Sequence, residues 1–192
     1  MERRAGMVVL ATVGVLVGGA LVLQSGLWVD LVGTGEYERG TVTVTEGEDT
    51  ADRTETPVGT ATTGTTVAVR ENDAGATLAT VEVRIADTGT KRYVGLSETD
   101  SLAPDEGMLF VHEEVGTHAY VMRNMSFPLD IVFVDADGTI TTIHHASLPE
   151  PGDETLHRYE GRGKYVLEVN RGWANRTGVS VGDRAELPER VA

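Results

Sequence analysis

Hydrophobic and polar positions change rhythm three times along this 192-residue chain. Residues 5–23, AGMVVLATVGVLVGGALVL, carry no charge and are almost wholly apolar. As a helix that run covers roughly 28 Å, close to the hydrocarbon thickness of a bilayer. Residues 33–66 are the opposite, a mixture of Thr, Gly and acidic residues with few large apolar side chains. Such a segment buries too little surface to offset its ordering entropy, and it reads as a disordered stalk. Within it, Thr41-Val42-Thr43-Val44-Thr45 alternates like a strand, although one isolated strand is marginal. Apolar periodicity returns near residue 67 and continues to the end. The pattern divides the chain into an N-terminal transmembrane signal anchor (1–32), an acidic linker (33–66) and a globular β-rich domain (67–192).

Within that domain the dominant period is two. Val67 to Arg70 and Thr77 to Ile85 alternate on either side of Asn72-Asp73-Ala74-Gly75 and predict a hairpin. A short helix is expected within Thr88 to Thr99, capped by Asp87 or Thr88, with Tyr93, Val94 and Leu96 facing inward. Met108 to His112 and His118 to Arg123 read as a second hairpin across Glu113 to Thr117, with His112 facing His118 and Phe110 facing Tyr120. Both faces of this pair are apolar, so it belongs in the middle of a sheet. Ile131 to Val134 and Ile140 to His144 form a third hairpin around Asp135-Ala136-Asp137-Gly138. Tyr165 to Val169 is a strand, Gly172 to Thr177 a helical turn, and Arg184 to Leu187 a last short strand. The fold class is α+β, mostly antiparallel, with a curled or barrel-like sheet and short helices.

Arg3 and Arg4 precede the apolar run and favour a cytoplasmic N-terminus, which puts the domain outside the cell on a single-pass anchor. A cleaved signal peptide is the rival reading, although no small-x-small site follows at Leu23-Gln24-Ser25-Gly26. There is no cysteine, so neither a disulfide nor a lipidated Cys is available. The net charge is -14, from 16 basic and 30 acidic residues. Lys91 and Lys164 are the only lysines, and the acidic, lysine-poor composition looks like that of proteins from salt-loving archaea. An ordinary acidic extracellular protein is the alternative. Molar salt relieves self-repulsion by shortening the Debye length to about 3 Å. Nucleic acid is disfavoured as a partner because no basic stripe exists to displace counterions.

Several short motifs occur in a fixed order: Gly95-Leu96, Glu106-Gly107-Met108-Leu109-Phe110, Met122-Arg123-Asn124, Pro128-Leu129-Asp130, Asp135-Ala136-Asp137-Gly138, Tyr165-Val166-Leu167-Glu168 and Gly182-Asp183. In this the chain resembles the domain of unknown function 192 family over about residues 80–188. The resemblance implies a small β-rich domain, often exported, without an established biochemical activity. Ser97 departs from the Met usual in that family. Ala119-Tyr120-Val121-Met122-Arg123-Asn124-Met125 replaces its Phe-Trp-Met-Lys-Asn-Thr run.

Candidate chemistry gathers at strand ends. Pro128 interrupts the strands and restricts Phe127, so the bend from Asn124 to Asp130 can display Arg123, Asn124 and Asp130 as a polar recognition corner for a carboxylate or an amide. The alternative is an Arg-Asp pair and an Asn-stabilised turn that only hold hairpins in register. His112 and His118, with Glu113 beside them, offer two nitrogens and a carboxylate for zinc, and thus a metal-assisted hydrolase. His144 and His145 are adjacent on a strand and point to opposite faces. Asp135 to Gly138 lacks the third acidic position and distant Glu of a calcium loop and reads as a turn. No nucleophile elbow or phosphate loop is present. Asn124-Met125-Ser126 and Asn175-Arg176-Thr177 match the N-glycosylation pattern, with Asn175 the more accessible. The leading expectation is a membrane-anchored, non-enzymatic domain that binds an unknown small-molecule or protein ligand without a cofactor. A metal-assisted hydrolase and a structural envelope component are the alternatives.

Overall fold

In the computed structural model, which describes residues 35–47, 75–150 and 156–191, the period-two alternation becomes one seven-stranded sheet. Its strands are β1 (Glu38–Thr45), β2 (Thr77–Ala86), β3 (Glu106–Tyr120), β4 (Leu129–Val134), β5 (Ile140–Ala146), β6 (Tyr159–Asn170) and β7 (Arg184–Glu186). Two short helices accompany them, α1 (Gly89–Val94) and α2 (Trp173–Thr177). The order across the sheet is β5-β4-β6-β3-β2-β1-β7, and β2 with β3 is its parallel pair. The two ends of the sheet meet. Thr139 bridges Arg184, Ile140 N–H donates to the Asp183 carbonyl at 2.9 Å, and Ala185 N–H donates to the Gly138 carbonyl at 2.8 Å. These bonds make the sheet curled and barrel-like, mostly antiparallel, as its period-two patterning implies.

Alternation along the central strands fills two cores, one on each face. Inside the curl lie Val42, Val44, Val81, Val83, Ile85, Leu109, Val132, Leu167, Val169 and Trp173. On the outer face Ala86, Leu96, Met108, Phe110, Met122, Ile131, Phe133 and Val166 form the second core. The outer core is needed because strands apolar on both faces must be covered on both.

The β4–β5 hairpin forms as its turn chemistry dictates. Asp135 Oδ1 accepts from Ala136 N–H at 2.8 Å, Asp137 Oδ1 accepts from Thr139 N–H at 3.0 Å, and Gly138 takes φ +90°. Thr88 caps α1 by accepting from Lys91 N–H at 3.2 Å, and α2 and β7 lie where the pattern put them. Val94 and Leu96 are buried, but Tyr93 is 52% exposed, a departure from the inward contact expected of it.

β6 begins at Tyr159 rather than at Tyr165, and two further strand assignments differ in kind from the sequence reading. The expected hairpin from Met108 to Arg123 is the single strand β3, paired with β6 on both sides of an irregularity. From Val111 to Gly116 β3 advances five residues while β6 advances two, Tyr165 to Gly163. The polar stretch Glu113 to Thr117 is therefore a bulge rather than a turn, and it bends the strand. Opposite the bulge, Gly163 lets β6 pass close to the end of β4, where a Cβ would lie 2.6 Å from the Val134 carbonyl oxygen. The far end of β3, still paired with β6, curls over the outer face, so Tyr120 meets Phe110 with ring centroids 5.1 Å apart. The expected side-chain pairs are in contact, for a different reason.

The second difference is β1, which lies inside the stretch assigned to the linker. It pairs with β2 from Glu38↔Ile85 to Thr45↔Thr77 and with β7 at its other edge. Its alternation was legible, but no local feature reveals a partner distant in sequence. The compact unit begins at Tyr37 rather than at residue 67. The rest of the linker from 48 to 66, the strand expected at Val67 to Arg70, and the apolar run at 5–23 lie outside the described residues. Among the described residues no helix is long and apolar enough to cross a membrane.

Because Val42 and Val44 are fully buried and each contributes about 1.5–3 kcal/mol, β1 is required for stability. A chain beginning at Thr66 is expected to lose its cooperative thermal transition, whereas one beginning at Gly35 keeps it. Circular dichroism melts of the two chains check this, and equal midpoints would contradict it.

Candidate functional site

Between α1, the folded-back end of β3 and the loop after it lies a cavity of about 380 Å³. Local chemistry builds its roof. Gly95 ends α1 with φ +54° and donates its N–H to the Lys91 carbonyl at 2.8 Å. Only glycine takes that conformation readily, and a Cβ there would also press on the Phe110 ring at 3.3 Å. Arg92 clamps the helix to the sheet by donating from Nη1 to the Asp87 carbonyl at 3.0 Å and the Val111 carbonyl at 2.8 Å.

Glu168 lies at the floor. On β6 it stands opposite Met108 of β3 and Ile131 of β4, on the outer face of the sheet. Its residue is 6% exposed, it lines the cavity, and its carboxyl has no hydrogen-bond partner among the described residues. Burial pushes its pKa up to about 8, because nothing nearby compensates the cost of the charged form. An uncompensated ionisable group in a cavity marks a functional site more often than a structural one.

The walls are aromatic and polar. His112 Nε2 lies 2.9 Å from Tyr120 Oη. Burial first, then His118 and Arg92, push the His112 pKa down to about 4, so the ring is neutral at physiological pH. The Tyr120 phenol is pushed up by burial and by the Glu168 carboxylate, against an opposing pull from Arg92, and it keeps its proton. With no other acceptor for that proton among the described residues, Tyr120 O–H donates to His112 Nε2, which assigns the imidazole proton to Nδ1. His118 stacks on His112, ring centroids 3.5 Å apart and planes 10° from parallel, and its buried Nε2 has no partner among the described residues. At the mouth, Arg123 donates from Nη2 to the Tyr93 carbonyl at 2.7 Å, with its guanidinium carbon 4.2 Å from the Tyr93 ring centroid. Ser97 has its hydroxyl tied to the Val94 carbonyl at 2.6 Å and is not a free nucleophile.

This arrangement brings together some of the residues singled out from the sequence and separates others. Arg123, His112 and His118 line the cavity, whereas Asn124, Asp130 and Glu113 do not. Asn124 is exposed at the bend with φ +53°. Asp130 is fully buried and does not pair with Arg123. Its Oδ1 accepts from His145 Nδ1 at 2.7 Å and its Oδ2 accepts from Ala174 N–H at 3.0 Å. The corner of Arg123, Asn124 and Asp130 is thus not assembled, because Asp130 ties β4 to β5 and α2 instead. The zinc alternative meets a geometric obstacle. A metal lies in the plane of each imidazole that binds it, and two parallel stacked rings share no such point. His112 Nε2 is also engaged by Tyr120, Glu113 is exposed, and no group of three or more His, Asp or Glu is placed to hold a metal among the described residues. Asn175 is exposed on α2, and the Thr177 hydroxyl donates to the Trp173 carbonyl at 2.9 Å. His144 and His145 diverge as expected, to the Glu160 carbonyl and to Asp130.

Sequence reasoning missed Glu168, Tyr120 and Arg92 as site residues. For Glu168 a signal existed. It is the one charge in Tyr165-Val166-Leu167-Glu168-Val169, a run apolar on both faces, and a charge there must either be paired or face a cavity.

Comparison with known proteins agrees with the fold. No curated protein matches the chain. Among solved structures, the chain is similar to a protein of Sinorhizobium meliloti 1021 provisionally assigned as a transcription regulator, at 30% identity and a TM-score of 0.60, covering 81% of this chain and 98% of that one. It is also similar to a protein of unknown function from Novosphingobium aromaticivorans DSM 12444, at 27% identity and a TM-score of 0.57, covering 80% of this chain and 88% of that one. The family model for the domain of unknown function 192, described as an uncharacterized ACR, matches residues 69–187. That match spans more than half of the sequence and includes the cavity and its floor, and the chain belongs to the domain of unknown function 192 family.

Proposed function

We propose that this protein is a membrane-anchored, extracytoplasmic domain that binds a small solute in the cavity beneath α1. The observation that carries the reading is Glu168, a buried carboxyl that faces the cavity and has no partner among the described residues. A group in that position costs stability, and a binding role accounts for its presence better than a structural one does. The anchor rests on the uncharged run at 5–23 behind Arg3 and Arg4, a pattern that supports a domain on the outer side of the membrane. The regulator assignment of the S. meliloti protein is not extended to this chain, whose net charge of -14 opposes nucleic-acid binding.

The site's titration gives a test. Glu168 holds its proton up to about pH 8 when folded but only to about 4.5 when unfolded, so its contribution makes stability fall as pH rises through that window. His112 acts in the opposite sense. It stays neutral down to about pH 4 when folded and charges near 6.5 when unfolded, so stability rises from about 4 to 6.5. The two oppose each other below 6.5, and above it Glu168 acts alone. Glu168→Met is expected to abolish the fall between pH 6.5 and 8 and to raise stability by about 1–3 kcal/mol at pH 8, several degrees in Tm. Thermal melts across that range measure both effects. A Met variant that melts below the wild type at pH 8 would show that the carboxyl supports the fold, and would remove the basis for a binding cavity.

The anchor is tested separately. The full chain is expected to sediment with membranes and resist extraction by salt and alkali. Recovery in the soluble fraction with its original N-terminus would contradict it.

A further inference from the structure

We propose that the ligand of this cavity is a small zwitterion of the amino-acid type, its ammonium group docked on Glu168 and its carboxylate on Arg123. The inference rests on the binding-cavity reading and adds the chemistry of what is bound.

The floor defines one end. Glu168 faces inward with no hydrogen bond from any described residue, and its neighbours across the sheet, Met108 and Ile131, are apolar. No other titratable or charged group described around the cavity bonds to it. Tyr120 spends its proton on His112, His112 is neutral, and His118 is stacked on that ring. Arg92 is engaged with two backbone carbonyls, and Arg123 is held on Tyr93. A ligand ammonium supplies both the missing charge and the missing donors, and Phe110 and Tyr120 beside the floor add aromatic surface that favours a cation.

The mouth defines the other end. The Arg123 guanidinium is fixed by its Tyr93 hydrogen bond and by stacking on that ring, while its remaining N–H groups have no partner among the described residues. A guanidinium oriented in advance loses little entropy when it takes a carboxylate. Between the two ends lie Val94, Leu96, Phe110 and Met125, an apolar wall for a modest side chain. The volume, about 380 Å³, is at the small end for ligand pockets, which begin near 300 Å³.

Proton linkage follows from the same geometry. Docking an ammonium favours the carboxylate form of Glu168, so binding releases a proton wherever the free site is protonated. Affinity should therefore rise with pH between 6.5 and 8.

The test uses the full chain in detergent and calorimetric titration with the twenty protein amino acids, followed by one-headed analogues of the tightest binder. For L-leucine these analogues are isoamylamine, which lacks the carboxylate, and 4-methylpentanoate, which lacks the ammonium. The expected result is binding at least tenfold tighter for the zwitterion than for either analogue, with proton release and affinity rising from pH 6.5 to 8. Glu168→Gln should weaken the zwitterion and the amine at least tenfold. Arg123→Met should reduce the zwitterion to the level of the amine while leaving amine binding unchanged. Binding of the carboxylate analogue as tightly as the zwitterion, affinity that falls with rising pH, or no binding by any of the twenty would overturn the proposal. If the zwitterion fails while Glu168→Met still stabilises the protein, the cavity reading survives and only the ligand chemistry is wrong.

Discussion

Strand β6 is the constraint on which the rest of this domain depends. It is hydrogen-bonded to β3 along one edge and to β4 along the other, and its successive side chains enter opposite cores. Tyr165, Leu167 and Val169 fill the inside of the curl, and Val166 packs in the outer core. Once the strand is central, position 168 must face the outer core. A carboxyl there sits between apolar neighbours, Met108 and Ile131. Either another residue pairs with it or an opening must form beside it, and the structure takes the second course with α1 and the folded-back end of β3 as walls.

Asp130 shows what the first course looks like. It lies in register with Val169, the neighbour of Glu168, and is buried as well, yet both its oxygens are used. A backbone N–H at the start of α2 and the His145 imidazole compensate its desolvation, and the group fastens β4, β5 and α2 together. Asp183 does similar work at the seam of the barrel, accepting from Ser180 N–H at 2.7 Å and Gly47 N–H at 3.1 Å. The contrast among these carboxyls separates scaffold from site more sharply than residue type does. Two are bonded in place and hold the curl closed. Glu168 has no such bond among the described residues and faces the cavity.

The bulge in β3 supplies the wall that makes the opening a pocket. The extra residues between Val111 and Gly116 bend the β3–β6 ribbon, whose two strands stay paired as far as Tyr120 and Tyr159. Across the bend the His112–His118 stack forms, and the Tyr120 hydroxyl reaches His112. The Tyr120–His112 bond and the neutral imidazole are products of this bend, since burial depresses the His112 pKa and the bend buries it.

Local chemistry was enough to place the elements whose information is local. The Asp135 to Gly138 turn, the Thr88 cap and the helical turn at α2 depend on residues a few positions apart, as do the alternations of β4, β5, β7 and the second half of β6. These were legible for that reason. The centrality of the β3 region followed as well, because strands apolar on both faces have nowhere else to go. What the tertiary structure alone decided was pairing: β1 with β2 and β7, β3 with β6 across a bulge, and the two ends of the sheet with each other. A strand's own residues state that it needs a partner without stating which one, and a polar pentapeptide between two apolar runs is the same string whether it turns or bulges. The site depends on those pairings. Glu168 reaches the cavity floor through register, and Asp130 reaches α2 rather than Arg123 for the same reason, so which carboxyl is bonded and which is free was determined by the fold.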